Sequence, residues 1–244
     1  MRQKRWLKQF FLWLKKISLL FFLAFLFLQG LFLLDNFFKV KVINVQVDSS
    51  MRTLLGIESL SNKRIFFIFE DEEERRLKEI NPMIKEIKIT KRYPQTLDLE
   101  VKNYSLIAFI KGSEGFLGLS EDGRIIFNFK NRPKDSSLPV INYYQLVNQT
   151  TYKVGDWIDF KDIKTTLILI EQLKSFNLMI DSIDIASEDM IVFNLKDDKK
   201  IIFTSKKDWQ TQFFSIFLIL KHLKIEGRQF KKIDVRFDKP ILKF

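Results

Sequence analysis

Residues 91–103 read KRYPQTLDLEVKN, and this stretch decides the fold of the first half of the chain. After a Tyr-Pro step, which favours a turn, apolar side chains alternate with charged ones from Leu97 to Val101. This period of two predicts a strand with one buried face and one polar face. Residues 84–91, IKEIKITK, alternate in the same way. The two segments are therefore expected to pair as a hairpin.

Upstream segments complete a small module of helices on a three-stranded sheet. Residues 39–48 contain alternating valines and predict another strand. Ser49 and Ser50 are candidate caps for a short helix that ends at Gly56. Residues 65–69, IFFIF, are expected to form a short buried element.

A run of five acids, residues 70–74, precedes several basic residues. The run is compatible with a divalent-cation site or with the first turn of a helix, where the helix dipole favours acids. No Asp-x-Asp-x-Gly calcium loop is present in the sequence, so we favour the helix. We expect ion pairs between residues four positions apart, Glu72–Arg76 and Glu74–Lys78. Leu77 and Ile80 are expected to face the core.

Residues 17–34, ISLLFFLAFLFLQGLFLL, contain no charged side chain. As a helix they span about 27 Å, close to the hydrocarbon thickness of a bilayer. Residues 1–16 carry six cations and no acid, which places them in the cytoplasm. The run is not followed by the small residues of a signal-peptide cleavage site. We therefore expect an uncleaved membrane anchor over residues 17–38 that contacts lipid, and consider nucleic-acid binding by the basic arm the weaker interpretation.

The sequence contains no cysteine and a single histidine, His222. Disulfides and cysteine-ligated metal sites are therefore excluded, and a Ser-His-Asp triad would have to use that one histidine. Glycine-rich phosphate-binding motifs are also absent from the sequence. We expect no catalytic residue, no metal, no cofactor and no small-molecule substrate. These features indicate a protein that binds other proteins.

Residues 104–244 are expected to form a larger, mixed β domain with two helices. A Glu-Asp-Gly turn at residues 121–123 joins two apolar segments and is typical of a hairpin. Residues 160–177 and 208–223 have helical spacing. The chain then closes with predicted strands at residues 232–237 and 241–244.

The order of these motifs resembles the FtsQ/DivIB family of bacterial cell-division proteins. The resemblance is carried by an anchor, a POTRA-like module and an I-D-x-R-aromatic strand at residues 233–237. It departs from the family at Phe237, where tyrosine is frequent. It implies an α+β protein with the following parts: a basic arm over residues 1–16, a single transmembrane helix over 17–38, a POTRA domain over 39–103 and an FtsQ-type β domain over 104–244.

The resemblance also implies a function and a site. Such proteins are non-catalytic scaffolds at the division septum, with the N-terminus in the cytoplasm and the domains outside the plasma membrane. Their partners are of the FtsB and FtsL type and add a strand near the C-terminal edge. Carried onto this chain, the partner-binding residues are Arg236, Phe237, Ile241 and Leu242.

The sequence alone leaves alternatives for the structure of the C-terminal edge and for the function of the protein. Pro240 lacks an N–H and would limit strand pairing. Alternatively, residues 233–237 are an internal core strand and residues 241–244 a frayed end. The alternative functions are a POTRA-containing secretion-system adaptor and a membrane-anchored secreted enzyme.

Overall fold

The computed structural model of the protein describes most of the chain from residue 18 onward. The described residues are 18–23, 25–26, 29–30, 36–48, 54–133, 136–145 and 147–244. The chain divides into two units, of which the first ends at Asn103 and the second spans Tyr104–Phe244.

Three predicted features lie wholly or partly outside the described residues. The basic arm over residues 1–16 and the cap candidates Ser49 and Ser50 lie outside them entirely, and the anchor over residues 17–38 does so in part. Within the described residues, no helix is both long enough and apolar enough to cross a membrane.

The first unit is built on a three-stranded sheet with the order β1–β3–β2. Its strands are β1 (Val42–Val47), β2 (Ile84–Arg92) and β3 (Thr96–Asn103). β2 and β3 form the predicted antiparallel hairpin, and β1 runs parallel to β3. The alternation along β3 places three residues in the core, as predicted: Leu97, Leu99 and Val101.

Helix α1 spans Glu70–Ile80 and confirms the helical interpretation of the acidic run. The predicted ion pairs within it are wrong. In this described stretch Arg76 pairs instead with Glu73, at 2.6 Å. The Glu74 carboxylate accepts the N–H of Ile89 at 2.7 Å. Arg76 thus pairs along the helix with the residue three positions before it, whereas Glu74 bonds across the fold to β2, on which α1 packs.

Two short 3-10 turns precede α1, at Ile57–Leu60 and Ile65–Phe67. Gly56, expected to end a helix, instead begins the first turn with a left-handed φ of 82°. The prediction that residues 65–69 are buried is only partly right. Ile65 and Ile68 lie in the core, whereas the phenylalanines between and after them are exposed.

Local geometry explains this correction. A 3-10 turn has three residues per turn, so Ile65 and Ile68 project to the same side. Ile80 is a further correction, since 41% of its surface is exposed at the end of α1. Leu77 is buried as expected and forms the helix side of the core.

The second unit contains one nine-stranded sheet with the order β12–β11–β10–β9–β8–β7–β4–β5–β6. Its strands are β4 (Leu106–Lys111), β5 (Phe116–Ser120), β6 (Ile125–Phe129), β7 (Val140–Tyr143), β8 (Ile180–Ser187), β9 (Met190–Leu195), β10 (Lys200–Phe203), β11 (Lys232–Asp234) and β12 (Ile241–Lys243). The mixed α+β class and the larger β domain are therefore confirmed.

Two helices pack with this sheet into one core cluster: α2 (Lys161–Lys174) and α3 (Trp209–Glu226). α3 begins where the Asp208 carboxylate accepts the N–H of Thr211 at 2.8 Å, a side-chain N-cap. It ends at Gly227, whose φ of 64° turns the chain towards β11. The C-terminal strands are thereby brought to one end of the sheet.

Candidate partner-binding edge

β12 is the outermost strand on one side of the nine-stranded sheet. It pairs antiparallel with β11, so that Ile233 faces Leu242 and Asp234 faces Ile241. β11 in turn lies parallel to β10. Thus β11 is an internal strand, and the end of the chain is an ordered edge strand rather than a frayed tail.

The backbone of β12 has an open hydrogen-bonding side. The Lys243 carbonyl accepts the N–H of Lys231 at 2.9 Å, so residue 243 points towards β11. Backbone groups alternate along an antiparallel strand, and the N–H and C=O of Leu242 therefore point away from β11. Within the described residues, no other strand lies on that side of β12. An extended segment of another chain could hydrogen-bond there.

β11 ends earlier than predicted. The expected strand over residues 232–237 is regular only to Asp234. The Val235 N–H still bonds the Ile202 carbonyl at 3.0 Å, but the chain then bends at Arg236. At this bend the side chains of Asp234 and Arg236, two positions apart, form an ion pair.

Arg236 and Asp234 form that ion pair with two parallel hydrogen bonds. Arg236 Nε lies 3.0 Å from Asp234 Oδ1, and Nη2 lies 2.9 Å from Oδ2. Burial raises the pKa of Asp234, but hydrogen bonding and charge from Arg236 outweigh it and leave that pKa below its ordinary value. The same pairing raises the pKa of the Arg236 guanidinium. The pair therefore stays charged and holds the Arg236 guanidinium against the end of β11.

The four predicted site residues lie together around this edge but face different surroundings. The ring of Phe237 is half exposed, with the Arg236 guanidinium 5.3 Å from its centroid. Ile241 is also about half exposed, whereas Leu242 packs against the core of its own unit. Side-chain contact with a partner is thus available at Phe237 and Ile241. Leu242 offers its backbone, and Arg236 mainly positions the loop.

The surroundings of the edge are basic. Residues 228–244 contain six cations and two acids, and one of those acids is the buried Asp234. The other acid, Asp238, pairs with Lys207 at 2.6 Å. Such a charge balance favours a partner segment with acidic side chains.

A cavity of about 540 Å³ lies between the C-terminal ends of α2 and α3 and the segment before β11. Its lining combines aromatic and aliphatic side chains with four cations: Lys199, Lys221, Lys224 and Arg228. The Arg228 guanidinium also lies 3.7 Å from the ring centroid of Phe244, just after β12. One cation therefore links the cavity to the end of the edge strand.

Sequence reasoning missed part of this site. The Asp-x-Arg spacing was visible in the sequence, and on a strand it places both side chains on the same face, so the pairing could have been found. The Asp189 carbonyl, which accepts from Arg236 Nη1 at 3.4 Å, gives no local signal. Neither does the contact between Arg228 and Phe244, because these residues meet only through the fold.

The surroundings of the single histidine do not resemble a catalytic site. His222 is largely exposed on α3, and its Nε2 lies 3.5 Å from a carboxylate oxygen of Glu226. Among the described residues, no group of three or more His, Asp or Glu side chains could hold a metal ion. The described surface around β12 exposes backbone hydrogen-bonding groups, apolar side chains and positive charge.

Comparison with known proteins bears on the first unit. The family model for the POTRA domain, FtsQ-type, matches residues 38–104. No curated protein matches the chain at a significant level. The matched segment contains β1, α1 and the β2–β3 hairpin, which are the elements that the sequence predicted. Residues 38–104 are therefore similar to the POTRA domain of the FtsQ type, and this segment is called the POTRA domain below.

Proposed function

We propose that the protein is a non-catalytic scaffold of the division septum that holds partner proteins by strand addition to β12. The FtsQ-type POTRA domain supports a role in cell division. The observation that supports the binding mode is the open side of β12, where the backbone groups of Leu242 point outward. Proteins of the FtsB and FtsL type are the proposed partners.

The proposed partner segment has a definite chemistry. It is extended, so that its backbone pairs with β12, and apolar where it meets Phe237 and Ile241. It carries acidic side chains, because the C-terminal edge is rich in lysine and arginine. Beyond Phe244 the same segment would reach the cation-lined cavity through Arg228.

The proposed setting is the plasma membrane, with residues 17–38 as a single anchor and the two units outside the cytoplasm. The basic arm and the uncharged run support this topology. Residues 18–23 are helical, and their large apolar side chains are more than half exposed. Apolar surface of this kind is stable in hydrocarbon and unfavourable in water.

The decisive experiment measures binding of the full chain, held in lipid nanodiscs, to the extracytoplasmic segments of the organism's FtsB- and FtsL-type proteins. A chain that lacks residues 240–244 is compared with the full chain. We expect saturable binding that is strongly reduced by the deletion. Binding that survives the deletion would move the site away from β12, and absence of binding would favour a secretion adaptor or an enzyme.

A further inference from the structure

A patch of exposed aromatic rings, here called the aromatic tip, lies where the last residues of the proposed anchor segment meet the POTRA domain. Its members are Phe37, Phe38, Phe66, Phe67 and Tyr93. Four of them are more than half exposed, and only Phe38 is shielded to a greater extent. Large exposed aromatic groups are uncommon on a protein surface unless a partner or a membrane covers them.

Four of the five rings form a continuous row of contacts, and Phe67 is the sequence neighbour of one of them, Phe66. Phe37 and Phe38 lie 5.2 Å apart between centroids, and Phe38 and Phe66 lie 4.8 Å apart. Phe66 then contacts Tyr93 at 5.4 Å. Three separate segments of the chain therefore contribute to one aromatic face.

The backbone holds these segments in place. The Phe38 carbonyl accepts the N–H of Ile65 at 2.9 Å, and the Phe37 carbonyl accepts from the Gln95 side chain at 2.9 Å. On the inner side, Ile65 and Ile68 are fully packed in the core. The rings thus point outward from an ordered structure. Their burial in a membrane would need no refolding of the domain.

The position of the aromatic tip in the chain indicates that a membrane covers it. The uncharged run ends at Leu34, three residues before Phe37. Three residues span at most about 10 Å even when fully extended. The headgroup layer on each side of a bilayer is about 5–8 Å thick. If residues 17–34 cross the membrane, Phe37 must lie in or next to the headgroup layer, and the rest of the tip is attached to it.

Charge around the tip is mixed. The Arg64 guanidinium lies 5.9 Å from the Phe67 ring centroid, and Lys41 is exposed nearby. Acids at the start of α1 balance these cations, and Glu70 pairs with Lys91 at 3.3 Å. Contact with the membrane would then depend on burial of aromatic surface and only weakly on anionic lipid.

We propose that the aromatic tip inserts into the interfacial layer of the membrane and holds the POTRA domain against the outer surface of the bilayer. The proposal rests on the membrane anchor of the proposed function. This layer accepts the apolar phenylalanine rings and can hydrogen-bond the hydroxyl of Tyr93. The POTRA domain would then have a fixed height and orientation, instead of moving freely on a linker.

The test uses the absence of cysteine from the sequence, which allows a single spin label at any chosen site. The full chain is reconstituted in phosphatidylcholine vesicles with Phe67→Cys at the tip. Ile80→Cys, an exposed apolar site at the opposite end of α1, is the matched control, and Phe21→Cys reports on the anchor. The measured quantity is the accessibility of each label to oxygen relative to a water-soluble nickel chelate.

We expect a ratio at position 67 that is several-fold higher than at position 80, and that persists at high salt and without anionic lipid. If position 21 is lipid-exposed while position 67 matches position 80, the tip proposal is wrong and the anchor stands. If position 21 also lies in water, the anchor itself fails and the tip proposal fails with it.

A second variant tests the cause of insertion. The double substitution Phe66→Ser and Phe67→Ser removes two exposed rings, so it should leave the core intact. A label at Tyr93→Cys is expected to move from the interface into water in this background. An unchanged label environment at position 93 would show that the aromatic rings do not hold the domain at the membrane.

Discussion

At the scale of single residues, a substitution at Leu99 tests which face of β3, the central strand of the POTRA sheet, is buried. Leu99 is fully buried on β3, between the two other strands of its sheet. Leu99→Asp would place an unpaired carboxylate among apolar side chains and should lower the free energy of unfolding by about 3–5 kcal/mol. Urea denaturation measures the loss. Glu100→Asp, on the exposed face, should change stability by no more than about 0.5 kcal/mol. Equal unfolding midpoints for both variants would contradict the assigned facing.

The Asp234–Arg236 pair predicts how stability depends on pH. The folded-state pKa of Asp234 lies below its ordinary value of 3.8. The folded protein therefore favours the charged carboxylate, and the resulting stability is complete above about pH 4 and lost as the pH falls through the folded-state pKa. Asp234→Asn should lower stability at neutral pH and make the acid decline shallower, as measured by urea denaturation across this range.

Asp238→Asn is the control for this pH effect. Asp238 pairs with Lys207 on the surface, and that contact lowers its pKa as well. An exposed pair is screened by salt, so any effect of Asp238→Asn should vanish at high ionic strength. An Asp234→Asn effect that vanished in the same way would show that the Asp234–Arg236 pair is effectively solvent-exposed.

At the scale of elements, β12 allows a backbone group to be tested separately from a side chain. Leu242→Pro removes the outward N–H and is sterically tolerated on an edge strand. Leu242→Ala removes a similar amount of core packing but keeps the N–H. If a partner pairs with this edge, Leu242→Pro should weaken binding by about tenfold more than Leu242→Ala, since one hydrogen bond is worth about 1 kcal/mol or somewhat more. Calorimetry with the partner segment gives both affinities. Equal affinities would exclude pairing at residue 242.

Helix α3 depends on its N-cap for a sharp beginning. Asp208 accepts hydrogen bonds from both the backbone N–H and the hydroxyl of Thr211. Asp208→Ala should lower stability by about 1 kcal/mol. Asp208→Ser, which keeps an acceptor, should recover most of this loss in thermal unfolding. If serine were no better than alanine, the cap would contribute nothing measurable.

The regular elements were the most predictable part of the fold. β2, β3, α1, α2 and α3 have clear periodicity, because each has one face in a core and the other in water. The 3-10 turn at Ile65–Phe67 was the least predictable, since a short apolar run does not reveal which of its side chains face inward. Local pattern likewise could not show that β11 would stop at Asp234 and leave Arg236 to fold back.

At the scale of the whole molecule, each unit has its own hydrophobic core cluster. We therefore expect residues 104–244 to fold without the first unit and to unfold in one cooperative transition. Urea denaturation of this fragment, followed by circular dichroism and by tryptophan fluorescence, tests the expectation. Coincident transitions support autonomy, whereas a broad transition with exposed apolar surface would mean that the unit needs the rest of the chain.

The sequence by itself determined the POTRA hairpin, the acidic helix and the mixed α+β class, because each depends on the spacing of apolar and charged residues along a short segment. Only the tertiary structure placed the last three-residue strand at the outside of a nine-stranded sheet. It also turned Leu242 inward and brought Phe37, Phe66 and Tyr93 into one aromatic face. Strand order and ring contacts join residues that are far apart in the chain. A local sequence pattern cannot show them, because they depend on which surfaces remain exposed once the hydrophobic cores have formed.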